Sequence, residues 1–383
     1  MGNVSYAYDV KVEGVYYNLY EYDKTARVTE GNKECSGDIV IPSVITNEGI
    51  DYTVTGISMY AFADNDYISK IAIPNTVSFI GVGAFDGCSG LKECVLSNSI
   101  TSIAAKTFNN CYSLKDIIIP NSVETIGERA FWQCEGLLSI TIPSSVCDIE
   151  GVSMFNNCWG LEEIIVDKNN KSYSSENGVL FNKDKSILLA CPKAKNEKFE
   201  IPSSVKIIQH GAFKWSDLSE ILIPDGIEVI EYDAFYSTKT KSFDIPESVN
   251  NIGSEAFCNC PYLEEVYVHW KTPLEIEEEN LFYSGDVFDS EALDAMTLYV
   301  PQGCVEAYKK VAPWNLFGKI VESLPGAVEN INSDSVDLPC EAFNLTGARV
   351  AEAESLELLK NSLDKGMYVV RFANGVSQKI VKF

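Results

Sequence analysis

The chain has 383 residues, 46% of them hydrophobic, and a formal net charge of −25 at pH 7. Such acidity repels nucleic acid and anionic membranes, so neither is an expected partner, and it favours solubility and cationic partners. No apolar run is long enough for a membrane helix, so no membrane insertion is expected, and Met1-Gly2-Asn3 reads as the start of a trimmed mature chain without a secretory signal.

Residues 1–35 carry no repeat. Val10, Val12, Val15 and Tyr17 surround Glu13-Gly14, which predicts a hairpin. Its expected task is to cap the repeats that begin at residue 36, since the open end of a repeat array exposes apolar core and an unpaired strand edge.

From residue 36 one pattern recurs about every 22–24 residues. The clearest copy has Leu114, then Ile117-Ile-Ile119-Pro120, then Val123 and Ile126-Gly127, then Ala130-Phe131 and Cys134. A fixed period in this range predicts a solenoid, in which each coil buries its apolar side only against its neighbours. An apolar-x-apolar element stands at 39–41, 71–73, 94–96, 117–119, 140–142, 164–166, 199–201, 221–223, 243–245, 266–268 and 298–300. That makes about eleven coils. Period-two alternation predicts a strand whose first and third residues face the core, and proline ends most copies because it lacks the donor a ladder needs. Stacked coils place these strands in a parallel sheet about 4.8 Å apart.

The second apolar pair, Val123 with Ile126 in the clearest copy, is expected on the opposite wall. The Ala-Phe pair, as in Ala130-Phe131, is expected at the bend, its phenylalanines forming a core spine and not a ligand box. Five of the twelve cysteines, Cys88, Cys111, Cys134, Cys158 and Cys260, stand three residues after a Phe. They are expected to form a ladder of buried reduced thiols, because periodic spacing follows from packing and no Cys-x-x-Cys pair occurs.

The period breaks at 167–199, where 178–181 and 187–190 flank the turn 182–185 and predict an inserted hairpin. That turn lacks the acidic positions and the glycine of a calcium loop. A second irregular stretch, 273–295, carries Glu275, Glu277, Glu278 and Glu279, read as a solvated face. Residues 304–322 predict a lid on the last coil, with a short helix bearing Val305 and Tyr308 followed by Trp314 and Phe317. Residues 323–339 read as a linker, and 340–383 as a small all-β domain of its own.

The repeat Leu-x-x-Ile-x-Ile-Pro-x-x-Val-x-x-Ile-Gly-x-x-Ala-Phe-x-x-Cys resembles that of the BspA-like leucine-rich repeat proteins of anaerobic host-associated bacteria. It covers roughly residues 36–302. Residues 177–185 and 299–308 look like recurrent features of the same family, and residues 343–350 and 365–371 are similar to the C-terminal sorting domains of secreted proteins in such bacteria. The resemblance implies a leucine-rich-repeat-type solenoid and an exported, surface-associated protein that binds host or microbial proteins. It implies no catalytic residue.

The residues themselves offer no catalytic constellation. The two histidines, His210 and His269, stand apart, and no His-Glu-x-x-His, Gly-x-Ser-x-Gly or phosphate-binding Gly-Lys-Ser/Thr occurs. No enzyme activity, cofactor or metal is therefore expected. Paired carboxylates of a glycan-acting hydrolase or a glycan-binding accessory protein form the alternative, and a structural spacer is a further one.

The expected binding face is the exposed side of the strands. The middle residues read Val40, Ala72, Val95, Ile118, Thr141, Ile165, Glu200, Leu222, Asp244, Tyr267 and Tyr299, mostly apolar where a solvated sheet should be polar. One residue before each apolar-x-apolar element, two before its middle residue, runs a largely acidic row that includes Asp38, Glu93, Asp116, Glu163, Glu220 and Glu265. The partner-binding set expected is Val95, Ile118, Ile165, Leu222, Tyr267 and Tyr299, with Asp116, Glu163, Glu220 and Glu265. An apolar strip beside an acidic row suits a host or microbial extracellular protein with apolar anchors and basic residues. The protein is expected to be secreted or on the cell surface, and monomeric.

Overall fold

The computed structural model describes residues 8–151, 153–196, 198–276, 281–282, 293, 295–322, 339–344, 348–363, 366–372 and 377–382. Its body is a β-solenoid of about eleven turns with mostly parallel sheets. The chain divides into two units, one of residues 1–241, 248–262 and 280–286, the other of 242–247, 263–279 and 287–383.

In the first unit each coil contributes to two walls. On the first wall Gly37–Val40, Ile68–Ala72, Glu93–Val95 and Asp116–Ile117 form one parallel sheet, with Ile39, Ile71, Cys94 and Ile117 in one register column. The pair Ser139–Ile142 with Glu163–Val166, and the pair Lys198–Glu200 with Glu220–Leu222, continue it in pieces. The second wall is built by the second apolar pair as expected: Ser102–Ile103, Thr125–Ile126 and Asp148–Ile149 pair in parallel, and Ile103 and Ile126 point into the core. Parallel in-register stacking follows from the constant period, because identical positions land one above another.

Two corners per coil need a left-handed backbone. Lys106 and Asn110 have φ +56° and +59°, and Arg129 and Gln133 repeat the pattern at +55° and +59°. Gly127 answers a different demand. A Cβ there would run into the backbone of Ala104 and Ala105 in the coil before, so only glycine lets the coils approach this closely.

Behind the corners Phe62, Phe85, Phe108, Phe131 and Phe155 stack with ring centroids 5.4–6.1 Å apart. Phe213, Phe235, Phe257 and Phe282 form a second stack at 5.2–5.4 Å. Beside this spine runs the thiol ladder, and each sulfur has a defined task. Cys88 Sγ donates to the carbonyl of Phe62 (3.1 Å), Cys111 to Phe85 (3.2 Å), Cys134 to Phe108 (3.2 Å), Cys158 to Phe131 (3.0 Å) and Cys260 to Phe235 (3.2 Å). Each bond crosses from one coil to the one before. Where cysteine is missing from this position the chain has Asn65, Ser216 or Thr238, all buried and all carrying a donor. The position therefore selects a small donor, and a metal ligand is not needed to explain it.

Burial pushes the Cys88 and Cys158 thiols up to about 12, and those of Cys111 and Cys134 well above the ordinary value. The thiolate is the reactive form, so these sulfurs should be inert in the native protein. A thiol reagent should label exposed Cys147 first and leave the ladder untouched until denaturant is added. The unfolded, non-reduced chain should then titrate every ladder thiol; their loss would mean that the ladder is oxidised.

The N-terminal hairpin Val10–Val12 with Val15–Tyr20 is present, with Val12 opposite Val15. A further strand, Thr25–Val28, pairs in parallel with Ile50–Ile57, so the cap prolongs the second wall. The 167–199 insertion holds three strands, Tyr173–Glu176, Val179–Asn182 and Ile187–Ala190, antiparallel in sequence order. The third also pairs in parallel with Ile207–Ile208. It thus supplies the second-wall strand that its coil would otherwise lack.

In the second unit Ser242–Ile245, Glu265–Val268, Thr297–Val300 and Lys319–Glu322 form a parallel four-stranded sheet. The lid expected at 304–322 therefore also adds a strand. Its aromatic residues are buried: Tyr308 donates from its hydroxyl to Trp270 O (2.7 Å) and Trp314 from Nε1 to Leu274 O (2.8 Å). Residues 323–338, most of the expected linker, and Glu277, Glu278 and Glu279 lie outside the described residues. Near the C-terminus Cys340–Asn344, Arg349–Ala353, Gly366–Phe372 and Ser377–Lys382 form an antiparallel sheet. A helix, Leu356–Ser362, adds to this β region, with Leu356, Leu359 and Leu363 buried beside Cys340, Ala342 and Val370. Ser355 caps it by accepting from Leu358 N–H. That serine, with leucines at three- and four-residue spacing, is the sequence signal by which the helix is legible.

Candidate binding surface

The residues expected to bind a partner fall into three groups. In the first, Val95, Ile118 and Ile165 stand on the outer side of the first wall and are exposed, Ile118 most of all at 83%. Val40 is exposed in the same row. Their flanks, Cys94, Ile117, Ile119 and Ile164, are buried, which is the alternation the pattern predicts. Asp116 and Glu163 are exposed two residues earlier in their strands, on the same side.

The second group is Leu222 with Glu220, and the insertion separates it from the first. Ile164 N–H donates to Gly178 O (2.8 Å) and Val166 N–H to Ser175 Oγ (2.9 Å), so strand Glu163–Val166 bonds to the insertion and not to Lys198–Glu200. Leu222 is half-buried, where full exposure was expected. Glu220 is held by Lys198 at 3.1 Å.

The third group corrects the expectation outright. Tyr267 and Tyr299 are 6% and 5% exposed, not solvent-facing anchors. Their strands run in register, so one ring lies on the other at 4.3 Å and 8°. Both hydroxyls donate to Glu265, at 2.8 and 3.1 Å. Burial and that carboxylate push the Tyr267 hydroxyl far above its ordinary value. Strand alternation fixes which side a residue takes, but large rings that stack and share an acceptor cover each other's surface.

The acidic row is also less continuous than its sequence suggests. Lys70 pairs with Glu93 at 2.6 Å, as Lys198 does with Glu220, and Ser69 donates to Asp38 at 2.8 Å. Asp116 and Glu163 are exposed beside Ile118 and Ile165, and Asp38, also exposed, lies beside Val40. His269 lies with Nε2 2.5 Å from Asp244 Oδ1. Among the described residues no group of three or more His, Cys, Asp or Glu is placed to hold a metal, and no helix is long and apolar enough to cross a membrane.

Several solved structures share the fold. A leucine-rich repeat protein of Eubacterium ventriosum is 23% identical, with 82% of this chain and 84% of that chain covered and a TM-score of 0.56. The pneumococcal vaccine antigen PcpA is 18% identical over 84% of this chain and 98% of its own, with a TM-score of 0.52. A leucine rich cell surface protein of Faecalibacterium prausnitzii is 22% identical over 85% and 97%, with a TM-score of 0.47. No curated protein matches this chain. The family model described as BspA type Leucine rich repeat region matches in six copies, over residues 55–183 and 190–289. With the repeat, its two walls and its spine all in place over more than half the chain, this protein belongs to the BspA-type leucine-rich repeat family.

Proposed function

We propose that this is a secreted or cell-surface binding protein that docks an extracellular protein on the outer side of its first wall. Leucine-rich repeat proteins generally mediate protein–protein interaction and are generally non-enzymatic scaffolds. The observation that carries the reading is the exposed aliphatic row Val40, Val95, Ile118 and Ile165, on strands whose neighbours alternate correctly. Exposed aliphatic residues recurring in one column, with Ala72 and Thr141 in the coils between, offer an apolar strip, and Asp116 and Glu163 beside them favour a partner with basic residues. The other half of the expected set, Leu222, Glu220, Tyr267, Tyr299 and Glu265, is not carried into this proposal, because those side chains are half-buried, paired or buried. Residues 340–383 are proposed as a separately folding sorting or anchoring domain, and the protein as a monomer.

The test is retention of proteins from host extracellular matrix and co-resident bacteria on the parent and on Ile118→Asp with Ile165→Asp. Both substitutions face solvent, so the fold should hold while affinity for any retained partner drops roughly tenfold or more. Charge reversal at Asp116 and Glu163 should mainly slow association and flatten its salt dependence. If every partner binds all variants like the parent, the first wall is not the docking face.

A further inference from the structure

Residues 191–194 return the chain from the insertion to the repeats, and they stand where another coil would have its Ala-Phe corner. Cys191 N–H donates to Ala212 O (2.8 Å), Ala194 N–H to Leu161 O (2.9 Å), and Asp217 N–H to Lys193 O (3.2 Å). In the next coil Lys239 N–H donates to Ser216 O in the same way (3.3 Å). By that bond the Lys193 backbone stands where Ser216 stands in the next coil, with a side chain far longer than the residues found there. That side chain is only 5% exposed, and its Nζ has no hydrogen-bond partner. The amine lies over the rings of Trp159 and Trp215, 4.7 Å from the centroid of the latter. Burial pulls it down to about 7, so near neutral pH much of it is a neutral amine, able to accept as well as donate.

The two tryptophans are also out of pattern. Trp159 is 49% exposed, its ring centroid 6.3 Å from that of Trp215 and tilted by 43°. Trp215 has φ +59°, at the corner where other coils place Asp64, Gly87, Asn110 or Asn259. That backbone is the ordinary corner of the coil, as at Gln133, and what differs here is the size of the ring it carries. The charged groups that act on Lys193 are Asp217, Glu135 and Lys239. Asp217 and Lys239 are themselves paired at 2.8 Å and both are accessible.

We propose that Trp159, backed by Trp215 and Lys193, with the charges of Glu135, Asp217 and Lys239 near enough to act on that amine, is a glycan-binding site that stacks the apolar face of an uncharged pyranose. The indole offers a flat, half-open, electron-rich surface, which suits the C–H face of a sugar ring. The charges near the amine are of both signs, so a charged ligand would meet repulsion from part of them. Hydroxyl groups donate to Glu135 and Asp217 and accept from Lys239 without that penalty. Lys193 has no hydrogen bond to lose in turning toward a hydroxyl at the edge of the ring. This site lies at the corner of the coils and not on the first wall, so it stands or falls independently of the protein-docking strip.

Tryptophan emission should be titrated with cellohexaose, maltohexaose, mannohexaose and chitohexaose, each to about 10 mM, a range that reaches millimolar affinities. At least one should give a saturable change whose midpoint is nearly insensitive to salt, as befits an uncharged ligand. Trp159→Ala, at an exposed position, should keep the circular dichroism of the parent and weaken binding roughly tenfold or more. Ile118→Asp with Ile165→Asp should bind the sugar like the parent. No saturable response to any of the four, a response that survives Trp159→Ala, or a midpoint that shifts strongly with salt would overturn the proposal.

Discussion

Phe131→Ala should destabilise its part of the solenoid by about 3–5 kcal/mol, the usual cost of emptying a buried phenylalanine site. Phe131 is fully buried, stacked at 5.6 Å on Phe108 and at 6.1 Å on Phe155. Its carbonyl accepts the Cys158 thiol, and Cys134 N–H donates to the same oxygen. The neighbouring rings are held by their own coils, so they cannot close the cavity. In a solenoid, stability is a sum of coil terms and nearest-neighbour terms, so the damage should stay local. Hydrogen exchange should rise around 108–158 and hardly change at the N-terminal cap, and a first unfolding step should move to lower denaturant. Phe131→Leu, which keeps most of the volume, should cost less than about 1.5 kcal/mol. A loss below about 1 kcal/mol for Phe131→Ala would mean that the phenylalanine stack is not what holds adjacent coils together.

Lys193→Met should do the reverse and stabilise the protein by about 1–3 kcal/mol near pH 7, because it removes a buried ionisable group that lacks a hydrogen-bond partner. The pH dependence gives the sign. Lys193 sits at about 7 in the folded protein against 10.5 ordinarily, burial being the main cause and Asp217 opposing it. Between those values the unfolded chain holds the proton and the native one does not, so the Lys193 contribution to stability should rise with pH, and it is read from about 7 to about 8.5, below the range where the unfolded chain's thiols ionise and the buried ladder thiols do not. Below about 7 the penalty is complete and flat. Chemical denaturation at one pH near each end of that window, on parent and variant, reads the difference. Lys193→Met should lose this rise and be the more stable protein at the lower pH. If both proteins gain equally with pH, Lys193 is not the titrating group. If the variant is less stable throughout, the amine has a partner that holds it.

Strand, wall and spine were all legible in the sequence, because in a solenoid the same short pattern meets the same environment in every coil. Ile117, Ile119, Val123, Ile126, Ala130 and Phe131 each take the side that their spacing predicts, and each is buried. The thiol ladder was legible as packing, but its purpose was not. Only the coil-to-coil geometry shows that Cys111 and its counterparts donate to the phenylalanine carbonyl one coil back, and that Asn65, Ser216 and Thr238 occupy the same position.

The binding surface was legible only in part, and the reason is physical. Alternation decides which side of a strand Val95, Ile118, Ile165, Tyr267 and Tyr299 take, and it is a local property of the backbone. Whether that side remains open depends on groups distant in sequence. Glu265 lies 34 residues from Tyr299 and still accepts its hydroxyl. The insertion at Gly178 bonds to the strand of Ile165 and so cuts the row before Leu222. Lys70 reaches Glu93 and Lys198 reaches Glu220 across adjacent coils, Ser69 donates to Asp38, and Glu265 accepts from two tyrosines, which leaves Asp116 and Glu163 of the acidic row. Lys193 shows the same division most sharply. In sequence it is one lysine in an irregular stretch, with nothing to distinguish it from a solvated one. The repeat period determines where the coils lie, but only the folded chain places that amine between Trp159 and Trp215, because its neighbours there come from coils on either side of a break in the period.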